Sequence, residues 1–477
     1  MTPKIDIYCP DVKFILYRKL LYIYIWYRLN KKGKKFLYRQ NMSIYTVIII
    51  PTKKFKGDYM SANPTQTINS QEVINKLKNG TNVFLTGGAG VGKSYTLNLV
   101  KESFTKPILV APTGIAAAHI KGETIHSFFG FPVDKEAGMK KLSNAKREEL
   151  LPIYKKFDLL IIDEISMVSA HLLNWIMRRF EDLGIELGVD LPVLIVGDFY
   201  QLPPISSDEE RSGYAFESLL WKNLNLDTIN LTKIYRTDNA EFAQVLNELR
   251  VGEISKMAKN MLKTLSQNSD DDKYTHLYST NKKAFWHNKK MLDIIQKRTF
   301  IYEMSEEFLG DTEGERKEFL FKQKILRSKF EKKLYLKEGA LVMFTHNDRE
   351  NKIYNGKKGY ITKIDENSIY VDDFKVEKEV IDINSYKKID GEVQKVVIGK
   401  VTQYPIKLAY AITIHKSQGM SIDGLCVDLS YIFASGQAYV ALSRAMDPKT
   451  TKVDLGYKDM DEIFYTDDRI DRFYNLT

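Results

Sequence analysis

The sequence predicts an α/β protein built on parallel sheets, and three stretches carry that prediction. An apolar run enters a glycine loop and then an amphipathic helix start in "NVFLTGGAGVGKSYTLNLV". Two further apolar runs, "FDLLIIDEISMVS" and "LPVLIVGDFYQLPP", end in acidic residues. Unbroken apolar runs of this length fit buried strands, whose two faces are both covered.

The first 59 residues stand apart. They hold 13 Lys/Arg against 3 Asp/Glu, which leaves 58 of each sign in the other 418 residues. The net charge of +10 therefore belongs to the leader, and the body is neutral. A nucleic-acid site in the body has to be a local groove rather than a broad basic face. Arg18, Lys19 and Arg28 cut the run "FILYRKLLYIYIWYRL" too short for a membrane span, so no membrane partner is expected. A basic, acid-poor leader fits a transit peptide; the preferred reading is a poorly ordered extension, with the folded protein beginning near Met60.

At 44% hydrophobic and 28% charged, 477 residues suffice for two or three domains with ordinary cores. Cys9 and Cys426 lie far apart, and no Cys/His group has metal-ligand spacing. Neither a disulfide nor structural zinc is expected, and an intracellular compartment is the default.

Gly87 to Ser94 fits G-x-x-x-x-G-K-S in the strand–loop–helix setting that a phosphate loop needs. Backbone N–H groups of Gly87, Gly88, Ala89, Gly90, Val91 and Gly92 curl around a β-phosphate, and the following helix N-terminus adds partial positive charge. Lys93 is expected at the β/γ-phosphates, Ser94 at magnesium, and Tyr95 beside the nucleotide. Asp163 can bind the same magnesium, while Glu164 can polarise an attacking water. Their cost of burial argues against a merely structural pair. Gln201, just past the third apolar run, can bond γ-phosphate or the water; alone it reads equally well as a solvent-facing turn residue.

With these in hand, "APTGIAA", "GETIHSFFG", "GDFYQLPP", "LTKIYRT", "LAYAITIHKSQG" and "GQAYVALSRA" complete eight ordered blocks. Together they resemble superfamily-one, branch B helicases, most closely the PIF-type 5′-to-3′ DNA helicases and their RecD-like and Dda-like relatives. The resemblance spans roughly residues 65–460. It implies two RecA-like domains: the first at 60–235 with a small wedge insertion at about 130–152, the second at 236–334 and 401–477. A small β-barrel is expected at 335–400, where apolar and polar residues alternate around Asn-Gly and Gly turns.

The resemblance also implies roles. Arg236 and Arg444 become arginine fingers on the γ-phosphate, which suits guanidinium groups that stay charged and bond two oxygens. Gln71 resembles the adenine-reading Gln, and Gly419 belongs to the loop facing the cleft. Single-stranded DNA contacts fall to Pro112, Thr113, Gly114, His126, Ser127, Phe128, Asn281, Thr413, His415, Lys416 and Ser417. Hydroxyl and backbone donors hold phosphates, and an aromatic ring stacks on any base. One of Phe128 and Phe129 is expected in the core.

The implied activity is ATP- and Mg2+-dependent 5′-to-3′ DNA unwinding in replication, repair or recombination, by a monomer acting on single-stranded and forked DNA. Single-stranded-DNA-binding or replication proteins are the expected protein partners. The implied location is cytoplasmic, at the nucleoid in a bacterium, or nuclear or mitochondrial in a eukaryote. Two alternatives stay open: an RNA-directed motor of the same superfamily, and a nucleotide-gated DNA-binding ATPase that does not unwind.

Overall fold

A computed structural model describes residues 14–15, 24–25 and 70–476, the last apart from 132–140, 205–212, 327–330, 347–352, 366–367 and 390–391. Contacts divide the chain into Met1–Gln66 and Thr67–Thr477. Of the first unit, only β1 (Phe14–Ile15) and its antiparallel partner β2 (Tyr24–Ile25) are described. The extension expected at 1–59 otherwise lies outside the described residues.

The second unit opens with α1 (Ser70–Lys78), whose Val73, Ile74 and Leu77 recur at helical spacing and are buried. A first lobe then alternates strands and helices: β3 (Val83–Gly87), α2 (Lys93–Glu102), β4 (Pro107–Ala111) and α3 (Gly114–His119). β5 (Glu123–Thr124), α4 (Ile125–Phe129), α5 (Asn144–Tyr154), β6 (Leu159–Ile162) and α6 (Ala170–Leu183) follow. β7 (Val193–Val196), α7 (Leu219–Asn223) and β8 (Asp227–Leu231) complete it. The six strands form one parallel sheet in the order β5-β4-β6-β7-β3-β8. Every residue of β3, β6 and β7 is buried, because helices cover both faces. Of the insertion expected at about 130–152, residues 132–140 lie outside the described residues. Most of the remainder is α5, capped by the Ser143 hydroxyl accepting from Lys146 N–H.

The second lobe starts with α8 (Ala240–Arg250), α9 (Lys256–Gln267), β9 (Thr275–Tyr278) and α10 (Asn281–Ile294). Antiparallel elements then interrupt it: β10 (Phe300–Glu303), β11 (Ser305–Phe308), α11 (Glu313–Leu326), β12 (Lys333–Leu336) and β13 (Leu341–Phe344). β14 (Lys358–Ile364), β15 (Ile369–Val371), β16 (Phe374–Val376), β17 (Glu379–Ile389), β18 (Glu392–Gln403) and β19 (Ile406–Leu408) end the interruption. The lobe resumes with β20 (Ala411–Thr413), β21 (Leu425–Asp428), α12 (Gln437–Leu442) and β22 (Thr451–Asp454). β20-β9-β21-β22 is a second parallel sheet.

Two boundaries differ from those read in the sequence. The antiparallel interruption runs from Phe300 to Leu408 rather than over 335–400. Its five-stranded sheet, β16-β15-β14-β13-β19, carries the apolar alternation that was legible. The added part is an arm of β11-β18-β17 backed by α11, and charged residues throughout these elements mask its strand pattern. At the C-terminus, α14 (Asp468–Leu476) follows the short α13 (Met460–Ile463) and returns to the first lobe instead of staying in the second. Its Ile470 and Phe473 pack among Phe84, Phe199 and Trp221, which gives its apolar stripe a core to enter.

Candidate nucleotide seam and nucleic-acid cleft

The glycine loop joins β3 to α2, and its glycines are needed where the chain is most crowded. A Cβ on Gly87 (φ +136°) would stand 2.2 Å from the Leu231 carbonyl oxygen, and one on Gly90 (φ +77°) 2.6 Å from the Arg236 Cβ. Gly92 caps α2 in the left-handed region, so α2 begins at Lys93 with free N–H groups facing the loop. Lys93 Nζ donates to the carbonyls of Gly87 (2.7 Å) and Gly88 (2.8 Å). Burial lowers its pKa, against the opposing pull of Asp198 and Glu164. Ser94 and Tyr95 face outward on the first turn of α2, Tyr95 being 63% exposed.

Asp163 and Glu164 leave the buried end of β6. Burial, reinforced by Glu164, pushes the Asp163 carboxyl up to about 7. Burial also raises Glu164, against the charges of Lys93 and Arg444. Glu164 holds a left-handed backbone (φ 51°, ψ 48°), an uncommon and costly conformation for a residue with a side chain. Gln201 is 4% exposed, and its Nε2 lies 3.4 Å from Asp198 Oδ2; it points inward, not to solvent.

The second lobe meets this wall directly. Arg236 Nε donates to Ser421 Oγ (3.0 Å) and its Nη1 to the Ser443 carbonyl (2.7 Å). Arg444 is 2% exposed and donates to the Val440 carbonyl and Ser443 Oγ. Burial, with Arg444 alongside, lowers Arg236 to about 9. Gln418 Nε2 donates to Glu164 Oε2 at 3.0 Å, and the Tyr439 hydroxyl accepts from Ala89 N–H at 2.7 Å. The glycine loop, the acid pair and both arginines thus share one seam.

Several seam residues escape sequence reading. Arg250 forms a two-pronged pair with Asp198 (3.0 and 2.8 Å) beneath the stacked rings of Tyr200 and Tyr474. Burial works against the Arg250 charge, but Asp198 outweighs it and the pKa rises. Nothing local marks Arg250, since it ends an ordinary amphipathic helix. Gln418 and Tyr439 sit inside the "TIHKSQG" and "GQAYVALSRA" blocks, where their neighbours drew the attention. Gln71 is exposed on α1 and bonds Asn75 within its own helix, while Ser70 Oγ reaches Thr96 Oγ1 on α2 (3.2 Å).

A cleft of about 540 Å³ opens between the lobes beside Asp163 and Glu164. It gathers Thr113, Asn281, Thr413, His415, Lys416 and Gly419 from separate elements. Asn355, from the turn between β13 and β14, and Phe433 also line it. Phe433 is 63% exposed with its ring near-parallel to His415 (17°, centroids 6.3 Å). Gly419, grouped with nucleotide residues in the sequence, lines this cleft together with the acid pair; its φ is +77° and a Cβ there would touch nothing. Burial lowers the His415 pKa, so the ring is neutral near pH 7.

Ser417 has to be corrected. It is fully buried, and its hydroxyl donates to the Ile414 carbonyl at 2.7 Å, closing the turn from inside. Asn288 of α10 has a structural role: its amide pairs with both the N–H and the carbonyl of Ala411. Thr413 is also buried, with Oγ1 3.4 Å from Lys416 N. Thr113 caps α3 by accepting from Ala116 N–H, and Pro112 is half-buried before it.

His126, Ser127 and Phe128 lie elsewhere. Ser127 and Phe128 line a second cavity of about 380 Å³ with Gly114 and, from the arm, Ile381, Asp382 and Asn384. Lys322 of α11 bridges to Glu123 there at 3.0 Å. Phe129 is buried, whereas Phe128 is half-buried at the edge of the Tyr154 and Phe157 rings.

Residues 63–261 match the family model described as PIF1-like helicase. A curated relative, "ATP-dependent DNA helicase Pif1" of Campylobacter jejuni, is 36% identical over 408 residues, covering 78% of this chain and 88% of its own length. The chain belongs to the PIF1-like helicase family. Its fold agrees: the Bacteroides Pif1 structure in complex with ADP-AlF4 superposes with a TM-score of 0.72 at 31% identity, covering 85% of this chain and 96% of that one. Bacteroides Pif1 bound to ssDNA superposes with a TM-score of 0.57 at 31% identity over the same shares. PIF1-like membership accounts for two parallel-sheet lobes meeting at one glycine loop. Among the described residues, no helix is long and apolar enough to cross a membrane.

Proposed function

We infer that this PIF1-like chain is an ATP-dependent DNA helicase that translocates 5′-to-3′ along single-stranded DNA and unwinds duplexes. The observation that carries the reading is the seam: Glu164 at the end of β6 faces Lys93 of its own lobe and Gln418 and Arg444 of the other. A nucleotide in the glycine loop would be met by positive groups of both lobes.

ATP is the substrate. The loop amides and Lys93 take the β/γ-phosphates, Gln71 reads the adenine, and Arg236 and Arg444 bond γ-phosphate oxygens. Glu164 accepts the proton of the attacking water as its oxygen bonds the γ-phosphorus and the bond to the β-phosphate oxygen breaks. Gln201 orients that water. Asp163 and the Ser94 hydroxyl are hard oxygen donors, and buried Asp163 beside half-buried Glu164, each with its pKa raised by loss of solvent, fits a site completed by Mg2+. Bound there, the ion would neutralise phosphate charge. Loss of the γ-phosphate removes what both arginines hold, and the lobes part.

Thr113, Asn281, Thr413, His415 and Lys416 hold the strand in the cleft, with Gly419 leaving room for its backbone and Phe433 offering a ring for a base. The partition into two RecA-like lobes, a wedge insertion near 130–152 and an inserted barrel belongs to the same proposal, as do a monomer, forked DNA as substrate and replication proteins as partners. The compartment is proposed to be wherever the genome lies, nucleoid, nucleus or mitochondrion.

Strand displacement with 5′-tailed and 3′-tailed duplexes tests the reading. Unwinding of the 5′-tailed substrate alone is expected; unwinding confined to 3′ tails reverses the polarity. ATPase stimulation by matched DNA and RNA oligonucleotides addresses substrate class, and stronger stimulation by RNA contradicts it.

A further inference from the structure

We propose that Asp270, His276 and Cys426 form a binding site for a zinc-like divalent cation on the second lobe. One donor atom from each lies within 4.8 Å of the others. The register of the parallel sheet creates the pair at its centre: Cys426 of β21 stands directly opposite His276 of β9, so both side chains leave the same face side by side. Asp270, in the connection from α9 to β9, closes the group, with Oδ1 3.5 Å from His276 Nε2. The His287 ring of α10 also packs against His276 at 4.3 Å between centroids, and the Tyr278 hydroxyl lies 2.8 Å from His287 Nδ1. None of the three donors lines the cleft between the lobes.

The donor set selects the ligand. Sulfur, imidazole nitrogen and one carboxylate oxygen suit a borderline-soft, tetrahedral cation and not magnesium, which keeps to oxygen. Bonds of about 2.0 to 2.3 Å place tetrahedral donors roughly 3 to 4 Å apart, so the group has to contract by about 1 Å. Burial is graded from exposed Asp270 through His276 to buried Cys426, which gives the ion a path inward and leaves a fourth position for water on the Asp270 side. On binding, the Cys426 thiol releases its proton to solvent and sulfur joins the metal. Sequence spacing could not show this group, because Cys426 and His276 are about 150 residues apart. Once bound, the ion ties β9 to β21, next to the Ser279–Asn281 turn that lines the cleft.

The chain's two cysteines make the test direct. Metal-free full-length protein titrated with Co2+ should develop a thiolate-to-cobalt charge-transfer band that added Zn2+ removes and Mg2+ does not. Cys426→Ser and His276→Ala should abolish the band, whereas Cys9→Ser should keep it. Zn2+ should raise the melting temperature of the wild type and of Cys9→Ser but not of Cys426→Ser, and losing a ligand should cost more than the about 10- to 100-fold of an outer partner. A band that survives Cys426→Ser, one lost with Cys9→Ser, or no band and no melting shift in the wild-type protein overturns the proposal.

Discussion

The seam and the cleft are neighbours that share Glu164, yet they are built in opposite ways. Seam side chains are the more enclosed: Arg444 is 2% exposed, Gln201 4% and Asp163 8%, and Lys93, Glu164 and Arg236 are half-buried. Several cleft side chains reach outward, as Lys416, Asn281 and Phe433 do, although Thr413 is buried. Burial is what shifts Asp163, Glu164, Arg236 and Arg444 from their ordinary ranges, so chemistry gathers where water is excluded. A passing strand needs the reverse, exposed donors and rings that take any sequence.

The largest expected effect comes from the seam. Lys93→Ala should abolish ATP hydrolysis in a steady-state assay, because no other side chain of the loop carries positive charge to the phosphates. Arg444→Ala should cut turnover by about a thousandfold while nucleotide binding, read by fluorescent-nucleotide titration, is spared. Equal loss of binding in both variants would place Arg444 in the ground-state pocket instead.

Arg250→Ala should lower stability by about 3–5 kcal/mol in chemical denaturation, because it leaves the fully enclosed Asp198 carboxylate unpaired. A change close to zero would mean that water reaches Asp198 and the seam is less sealed than its burial indicates.

A smaller effect is set by pH. The Asp163 pKa rises in the fold from 3.8 to about 7, so the native state holds a proton that the unfolded chain releases. Its contribution to stability is complete below about pH 4 and is lost as pH rises through about 7. Without divalent cation the melting temperature should therefore fall between about pH 6 and about pH 8, and Mg2+ should restore more at the higher value. Asp163→Asn should flatten both trends.

Smallest is Lys416→Ala in the cleft. Single-stranded DNA binding should weaken evenly across sequences, with the log–log salt slope falling by about 0.7 for the one lost phosphate contact. An unchanged slope would mean that Lys416 does not touch the strand and acts instead on half-buried Lys407, whose pKa loss of solvent lowers to about 8 with Lys416 adding to the shift.

Local sequence determined the parts whose physics is local. A buried strand entering a glycine loop and helix, an apolar run ending in Asp163-Glu164 and the turn at Gly419 each depend on a few consecutive residues, and their local conformation was legible there. The ordered blocks likewise fixed the family. What tertiary structure alone decided is which long-separated residues share an environment: Arg250 with Asp198, Gln418 with Glu164, Tyr439 with Ala89, and α14 with the first lobe's core. It also turned the Ser417 hydroxyl inward onto the Ile414 carbonyl. Hydrogen bonds and burial depend on distance in space, and in a chain of two parallel sheets with an antiparallel interruption that distance is set by register and crossover, which no short window of sequence encodes.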